Sequence, residues 1–591
     1  MRYMEAGNMK PMKVSDYIFR FLASKGVTDC FMLPGGGAMH LVDSLGRSGM
    51  GYVCFQHEQG AACAAEAYGQ HTNRPALLLV TSGPGVTNAL TPVTAGWIDS
   101  TPMFVISGQA KRSDLVGKTG VRQIGSQEVP AVPMAAPVTK YAYEILEPGE
   151  IRYHLERAWH EAATGRPGPV WLSVPLDVQG ALVDVEALAG FTPPEEHGPD
   201  VQEAVQRCLR LLRESKKPLL LAGNGVKLAG GEAALERLLE KLPVPVQTTW
   251  KSIDLMGEDH PLYMGHPGIM GDRGANLFLQ EADLLLSVGS RLDTSLTAFD
   301  EDHFARSAKK IVVDIDGREL ERMKMRREVS LACDAKRFLT ALAEAAEGLA
   351  FPSEEWRWWL RRGKEWRRNY PVVTSSHRAA RDRVSAYYFI DRLCGLLTEA
   401  DVIVPESSGG AGEITYQAFR LKYGQKMKNA AGLGSMGFGL PYAIGSCIAN
   451  GGRRTVLING DGAFQLNIQE LETVRRLALP IKMFIWCNDG YASIRNMQTN
   501  HFGRCVASGP ESGYSVPDVT RVAAAYGLPV FRIRDNRELE RLLPAVLGTE
   551  GPCLCAVDTD PAETVSPRVK AFPQKDGSMR SGALENMWPE V

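Results

Sequence analysis

The chain has 591 residues, with 66 basic and 68 acidic side chains and a formal charge of −2. Hydrophobic residues make up 44% and charged residues 23%, ordinary values that exclude a disordered chain; so balanced a charge offers no broad field for nucleic acid. The longest apolar runs, such as 76–80, are strand-length and far short of the roughly 20 residues that cross a bilayer, so no membrane partner is expected.

At roughly 150 residues per domain the length suggests about four domains, or three large ones. Residues 1–13 hold no apolar signal-peptide core, and the eleven cysteines are scattered without a CxxC pair. Reduced thiols and a cytoplasmic location are the expectation.

Taken in order, a helix begins at Val14. Apolar strand-like runs at 76–80, 103–106, 218–222, 284–288, 311–313, 455–458 and 483–486 then alternate with amphipathic helical stretches. This rhythm predicts an α/β chain of doubly wound parallel sheets. Residues 191–200 (FTPPEEHGPD) read as a linker. Residues 354–383 are crowded with Trp and Arg; they read either as a grip for an anion or, as favoured, as a solvated helix whose Trp356, Trp358 and Trp359 dock on a neighbouring domain, followed by an extended linker. Three blocks result, 12–188, 195–350 and 375–591.

In the first block, Glu58 opens a helix whose next residues are Ala61, Ala62, Cys63, Ala64 and Ala65. A helix that is small and apolar all round is buried, and a carboxyl at its entry is poorly solvated. An ordinary acid at a helix N-terminus satisfies the same pattern. In the middle block, Gly223 and Gly225 follow one strand, Gly289 and Arg291 another, and Asp314 ends a third, where an acid suits ribose hydroxyls.

The third block is the most informative. A strand ends at Asn459, Gly460-Asp461-Gly462 follows, Ala463 opens an amphipathic helix, and a second strand ends in Asn488-Asp489-Gly490. The 25 residues between Gly462 and Asn488 accommodate one helix and one returning strand, so both polar tips emerge at the carboxyl edge of a parallel sheet. Glycines admit a diphosphate there, and Asp461 and the Asn488 amide oxygen are hard ligands suited to Mg²⁺ or Ca²⁺.

This unit resembles the binding motif of thiamine-diphosphate (ThDP) enzymes. The resemblance assigns the metal to Asp461, Asn488 and the Gly490 carbonyl, and makes Glu58, within His57-Glu58-Gln59, the carboxyl that activates the cofactor. The family often has Asn-Asn where this chain has Cys487-Asn488. The likeness runs nearly end to end and is nearest to acetolactate synthases. It rests on Leu33 to Gly37, Thr81 to Gly85, Ser107 to Gln109, Gly165 to Pro169 and Gly432 to Gly439. It implies three domains: an N-terminal pyrimidine-binding domain at 12–188, a central FAD/nucleotide-binding-like domain at 195–350 and a C-terminal diphosphate-binding domain at 375–591.

Further roles follow from the resemblance. Ser408, Gly409, Gly410, Gly460, Gly462 and Ala463 would line the diphosphate, with Gly434 and Met436 beneath the cofactor and Met436 bending it. Gly36 and Gln109 would line the reaction chamber. FAD would contact Arg166, Gly223, Gly225, Gly289, Arg291, Asp293, Asp314 and Asp334, although Met270 replaces a frequent His and Ser295 a frequent Arg. The acceptor side departs more, with Arg122 to Glu128 in place of a TDAFQE-like segment and Leu176 in place of a Lys; the loop Tyr491 to Arg495 also differs. Arg122 and Arg495 read either as ligands for a substrate carboxylate or phosphate or as surface residues.

The implied activity is a ThDP- and Mg²⁺-dependent carboligase. It would decarboxylate a 2-oxo acid, pyruvate first, and transfer the two-carbon unit to a carbonyl acceptor. A homodimer or homotetramer is implied, with sites between subunits. Two alternatives stay open: a non-ligating 2-oxo acid decarboxylase, although the chain has no His-His pair, and a catalytically silent ThDP-binding homologue.

Overall fold

A computed structural model describes residues 11–195, 198–574 and 579–590. The strand-like runs form three parallel sheets. The first has the order Gly51–Cys54, Asp29–Met32, Ala76–Val80, Met103–Gln109, Pro169–Pro175, Tyr141–Glu144. The second runs Val246–Thr248, Pro218–Ala222, Leu284–Val288, Lys309–Asp314, Val329–Ala332. The third runs Lys426–Met427, Val402–Pro405, Thr455–Gly460, Ile481–Cys487, Cys553–Asp558, Val530–Ile533. Central strands such as Ala76–Val80, Pro218–Ala222 and Leu284–Val288 are buried at every position, because helices cover both faces.

All three sheets share one topological feature. The second strand of each in sequence lies on one side of the first, and the third on the other. The order therefore reverses beside the first strand, opening a crevice at the carboxyl edge. In the first sheet the loops after Met32 and Val80 meet there, and the Gly37 N–H donates to Thr81 Oγ1 at 3.1 Å.

The described residues fall into two compact units. Met1–Glu196, Lys428–Gly452 and Leu466–Ile481 form one, and His197–Met427, Arg453–Gln465 and Lys482–Val591 the other. The grouping cuts across the 375–591 block, for a local reason. Helix Gly439–Ala449 packs on helix Glu58–Thr72 so closely that a Cβ on Gly445 would stand 2.1 Å from the Ala64 carbonyl oxygen.

Helix Ser353–Asn369 corrects one expectation. It buries Trp356, Trp359 and Trp366, one helical stripe, and leaves Trp358 50% exposed. Gly363 lies in the stripe because its missing Cβ admits the Phe278 ring, and Phe278 stacks on Trp359 at 4.0 Å. The following stretch is not extended throughout, since Ser375–Ala379 is a short helix. The eleven cysteines are free thiols. Residues 1–10, within the stretch read as lacking a signal peptide, and 196–197 of the linker lie outside the described residues.

Two glycine substitutions separate close contact from helix propensity. Gly445→Ala is expected to lose about 1–3 kcal/mol from overpacking. Gly395→Ala, where a Cβ meets nothing within 4 Å, should gain about 0.5–1 kcal/mol inside helix Ala386–Leu396. Urea unfolding of the two variants checks this, and equal midpoints would contradict the close-contact account.

Candidate active site

In the first unit, Glu58 is the first residue of its helix and only 7% exposed. His57 caps the helix, accepting from the Gln59 N–H at 3.1 Å, and Asn88 Nδ2 donates to Glu58 Oε2 at 3.0 Å. The carboxyl is thus desolvated and oriented, beyond what a surface N-terminal acid requires. Eight residues on, Glu66 is fully buried and serves packing. It accepts from Thr101 Oγ1 at 2.7 Å, from Gln70 Nε2 at 2.7 Å and from the Tyr442 hydroxyl.

A third buried carboxylate, Glu470, accepts from the Gln56 N–H at 3.1 Å and from Thr473 Oγ1 at 2.6 Å. Burial pushes its pKa up. Nearby, Asn467 Nδ2 donates to the Gly437 carbonyl at 2.8 Å. Gly434 and Gly437 both have positive φ, of 64° and 86°, and between them Met436 remains 38% exposed, a large apolar side chain left uncovered.

In the second unit, Asp461 starts the short helix Asp461–Phe464 at the reversal point of the third sheet and is 2% exposed. Its carboxylate accepts from the backbone N–H groups of Gly462 at 2.8 Å, Asn488 at 3.1 Å, Asp489 at 3.0 Å and Gly490 at 3.2 Å. Burial nevertheless prevails over these donors and pushes its pKa up to about 6. The returning loop needs left-handed backbone, with φ of 64° at Asp489 and 107° at Gly490.

The Asn488 amide faces the Gly490 carbonyl oxygen at 3.0 Å and Asp461 Oδ1 at 3.3 Å. With the amide nitrogen turned inward both become hydrogen bonds. With the oxygen inward, three oxygens converge with no proton between them, a hard donor set that a divalent cation satisfies. The residues present therefore fit such an ion.

Across the same reversal point, Ser408 precedes helix Gly409–Ala418, Gly409 has φ 72°, and the Gly410 N–H donates to Ser493 Oγ at 3.2 Å. A Cβ on Gly460 would meet nothing within 4 Å, so that side of the crevice is open. One on Gly462 would stand 2.7 Å from the Tyr491 ring. Ala463 is buried behind them.

In the second sheet, Gly223, Gly225 and Gly289 bring two loops into backbone contact at the reversal point, where a Cβ on Gly223 would meet the Gly289 carbonyl oxygen at 2.1 Å. Asp314 ends its strand and accepts from the Asp316 N–H at 3.0 Å. Asp293 and Asp334 accept from the N–H groups of Leu296 and Arg337, and Arg291 lies 4.0 Å from Asp293. Arg166 belongs to the other unit, where its Nε donates to Ser100 Oγ at 2.9 Å.

Comparison with known proteins adds sequence evidence to this geometry. Residues 12–130 match "Thiamine pyrophosphate enzyme, N-terminal TPP binding domain", residues 205–342 the central domain and residues 408–557 the C-terminal TPP binding domain. A probable acetolactate synthase large subunit of Methanocaldococcus jannaschii is 32% identical over 94% of this chain and 93% of its own. The large subunit of Escherichia coli acetolactate synthase isozyme 2 is 31% identical over 98% and 100%. Zea mays acetolactate synthase 2, chloroplastic, is 32% identical over 95% and 88%. The chain belongs to the thiamine-diphosphate-dependent enzymes of the acetolactate synthase family.

For this ThDP-dependent enzyme, several functional candidates take positions that sequence patterns do not show. Asn88, Asn467 and Glu470 act through tertiary contacts and carry no periodic signal. Gln109 is buried, with Nε2 donating to the Val129 carbonyl at 2.8 Å and to Glu144 at 3.2 Å, so its amide is engaged inside the fold. Gly36 is exposed at the first crevice. Arg122 is exposed on a loop that Glu128 ties through the N–H groups of Val116, Ile124 and Gly125. Arg495 instead donates to the carbonyls of Asn488 at 2.8 Å and Asp489 at 3.2 Å, bracing the loop that carries Gly490.

The raised pKa of Asp461 fixes the sign of a stability effect. Its folded value of about 6 lies above its ordinary 3.8, so ionisation opposes folding. The penalty is absent below about pH 4 and complete above about pH 6, and amounts to about 3 kcal/mol. In metal-free buffer, Asp461→Asn should therefore gain on the wild type as pH rises from 4 to 7. Urea unfolding at both pH values reads the difference, and a constant gap would contradict it.

Proposed function

We propose that the protein is a carboligase using ThDP and Mg²⁺, which removes CO₂ from a 2-oxo acid, with pyruvate the first candidate, and joins the remaining two-carbon unit to a carbonyl acceptor. The observation that carries this reading is that one chain retains both the buried Glu58 and the converging oxygens of Asp461, Asn488 and Gly490. A catalytically silent homologue has no reason to keep either. The near full-length likeness to acetolactate synthases supports ligation over simple decarboxylation.

Bound ThDP supplies a nucleophilic carbon and an electron sink. Glu58, held by Asn88 on Oε2, would exchange a proton with the aminopyrimidine. Asp461, Asn488 and the Gly490 carbonyl would hold Mg²⁺, and the metal's charge would draw the Asp461 carboxyl back into its ionised form. The open edges at Ser408, Gly409, Gly410 and Gly460 leave room for a diphosphate, with Gly462 and Ala463 behind. Met436, uncovered beside Gly434, would support the cofactor's apolar face. Gly36 and Gln109 would lie at the reaction chamber, and Gln109 would exchange an internal partner before meeting substrate.

FAD is proposed for the reversal point of the second sheet. Gly223, Gly225, Gly289, Arg291, Asp293, Asp314 and Asp334 end or follow its strands at the carboxyl edge. A flavin absorption band in the purified protein, lost in Gly223→Val, tests this.

Product analysis with ThDP, Mg²⁺ and labelled pyruvate tests the activity, with carbonyl acceptors added in turn. A labelled ligation product absent from Glu58→Gln is expected; labelled acetaldehyde with every acceptor would favour the decarboxylase. No turnover of any 2-oxo acid despite bound ThDP would favour the silent homologue.

The same reading expects a homo-oligomer, dimer or tetramer, with Glu58 and Asp461 of one site on different subunits. Mixing inactive Glu58→Gln with inactive Asp461→Asn by co-refolding should then restore about a quarter of wild-type activity, since half the dimers are mixed and each holds one intact site. No recovery, with exchange shown by mass, would place both residues of a site on one chain.

A further inference from the structure

The second unit contains a cavity of about 430 Å³ whose lining includes none of the residues assigned above to ThDP, the metal or FAD. Its walls come from the segment after strand Val246–Thr248, from the last turns of helix Ser353–Asn369 and its continuation, and from the end of helix Gly409–Ala418. Its apolar lining residues are Ile253, Met256, Val372, Val373, Phe419 and Leu421. The size falls in the ordinary range for small-molecule sites.

Much of the remaining lining is charged, and its balance is uneven. Arg367 is engaged by Glu258 at 2.7 Å and Asp272 at 3.7 Å. Arg420 and Arg378 converge on Asp391, just outside the cavity, at 2.6 and 3.5 Å. Lys364 and Arg368, one helical turn apart and both exposed, have no carboxylate or hydrogen-bond partner among the described residues. Asp259 is the remaining acid. Five cations against four carboxylates, Asp391 included, leave one positive charge.

One further polar atom lacks a hydrogen bond. His266 is 3% exposed and lines the cavity, and its Nε2 has no hydrogen-bond partner among the described residues, Asp272 Oδ1 being 3.9 Å away. A buried polar atom without a partner is costly unless something completes it.

We propose that this cavity is a second ligand site, binding a small organic monoanion with an apolar body, of the aliphatic or aryl-alkyl carboxylate class. Lys364 and Arg368 take the carboxylate, and the Val372–Val373 and Phe419–Leu421 wall takes the body. The three acids of the lining disfavour a dianion such as a phosphate monoester. The far end of helix Gly409–Ala418 carries the Ser408–Gly410 loop, so this ligand would sit at the other end of an element proposed to hold diphosphate.

Isothermal titration of the full-length protein, loaded with ThDP and Mg²⁺, tests the site with pentanoate, octanoate and 4-phenylbutanoate. The neutral control is 4-phenylbutanamide. At least one acid is expected to bind, with the amide and the Lys364→Met/Arg368→Met variant each weaker by about tenfold or more. The variant should bind ThDP as the wild type does, which separates failure of this site from failure of the activity proposed above. Equal affinity in the variant, equal affinity for the amide, displacement of the acid by FAD, or no binding of all three acids at millimolar concentration would each overturn the proposal.

Discussion

The contact between helices Glu58–Thr72 and Gly439–Ala449 constrains everything around the candidate carboxyl. Two helices approach to backbone distance only where the residues between them are small, and here Ala64 meets Gly445. Such proximity excludes water, so a carboxylate inside must be satisfied by the protein. Glu66 is, through Tyr442, Thr101 and Gln70. Those partners also set the rotation of the helix, since turning it by one residue, about 100°, would leave a carboxylate unpaired in the core. Glu58 takes its buried position from that fixed helix.

The three sheets reach their crevices by the same topology but furnish them differently. In the first, glycines and Thr81 close the crevice tightly. In the second, Gly223, Gly225 and Gly289 permit two loops to touch. In the third, Asp461 gathers four backbone N–H groups and still titrates high, because burial of a carboxylate outweighs neutral donors. A site arranged in this way favours a cation, and Arg495, bound to the carbonyls of the loop, holds that arrangement from behind.

Much of this was legible in the sequence. Apolar runs of strand length separated by amphipathic helices predict parallel sheets, because period and length are local properties. The strand–Gly-Asp-Gly–helix–strand–Asn order places Asp461 and Asn488 at one sheet edge, because parallel strands share a carboxyl end. The Trp-rich helix docks through Trp356 and Trp359 as its composition suggests, but Trp358 points to solvent and Trp366 inward. Composition identifies a docking helix, whereas its phase is set by what it meets, here Phe278 against Gly363.

By itself the sequence determined the α/β class, the family, and the identity of Glu58, Asp461 and Asn488 as candidates, because motif order and residue chemistry survive without coordinates. Only the tertiary structure decided that Asn88 holds Glu58, that Gln109 is engaged internally, that Arg495 braces a loop, and that a charged cavity lies under helix Ser353–Asn369. These rest on partners from 6 to 109 residues apart, or on burial. Neither leaves a periodic mark in the chain, since a side chain's partner depends on which surfaces pack together.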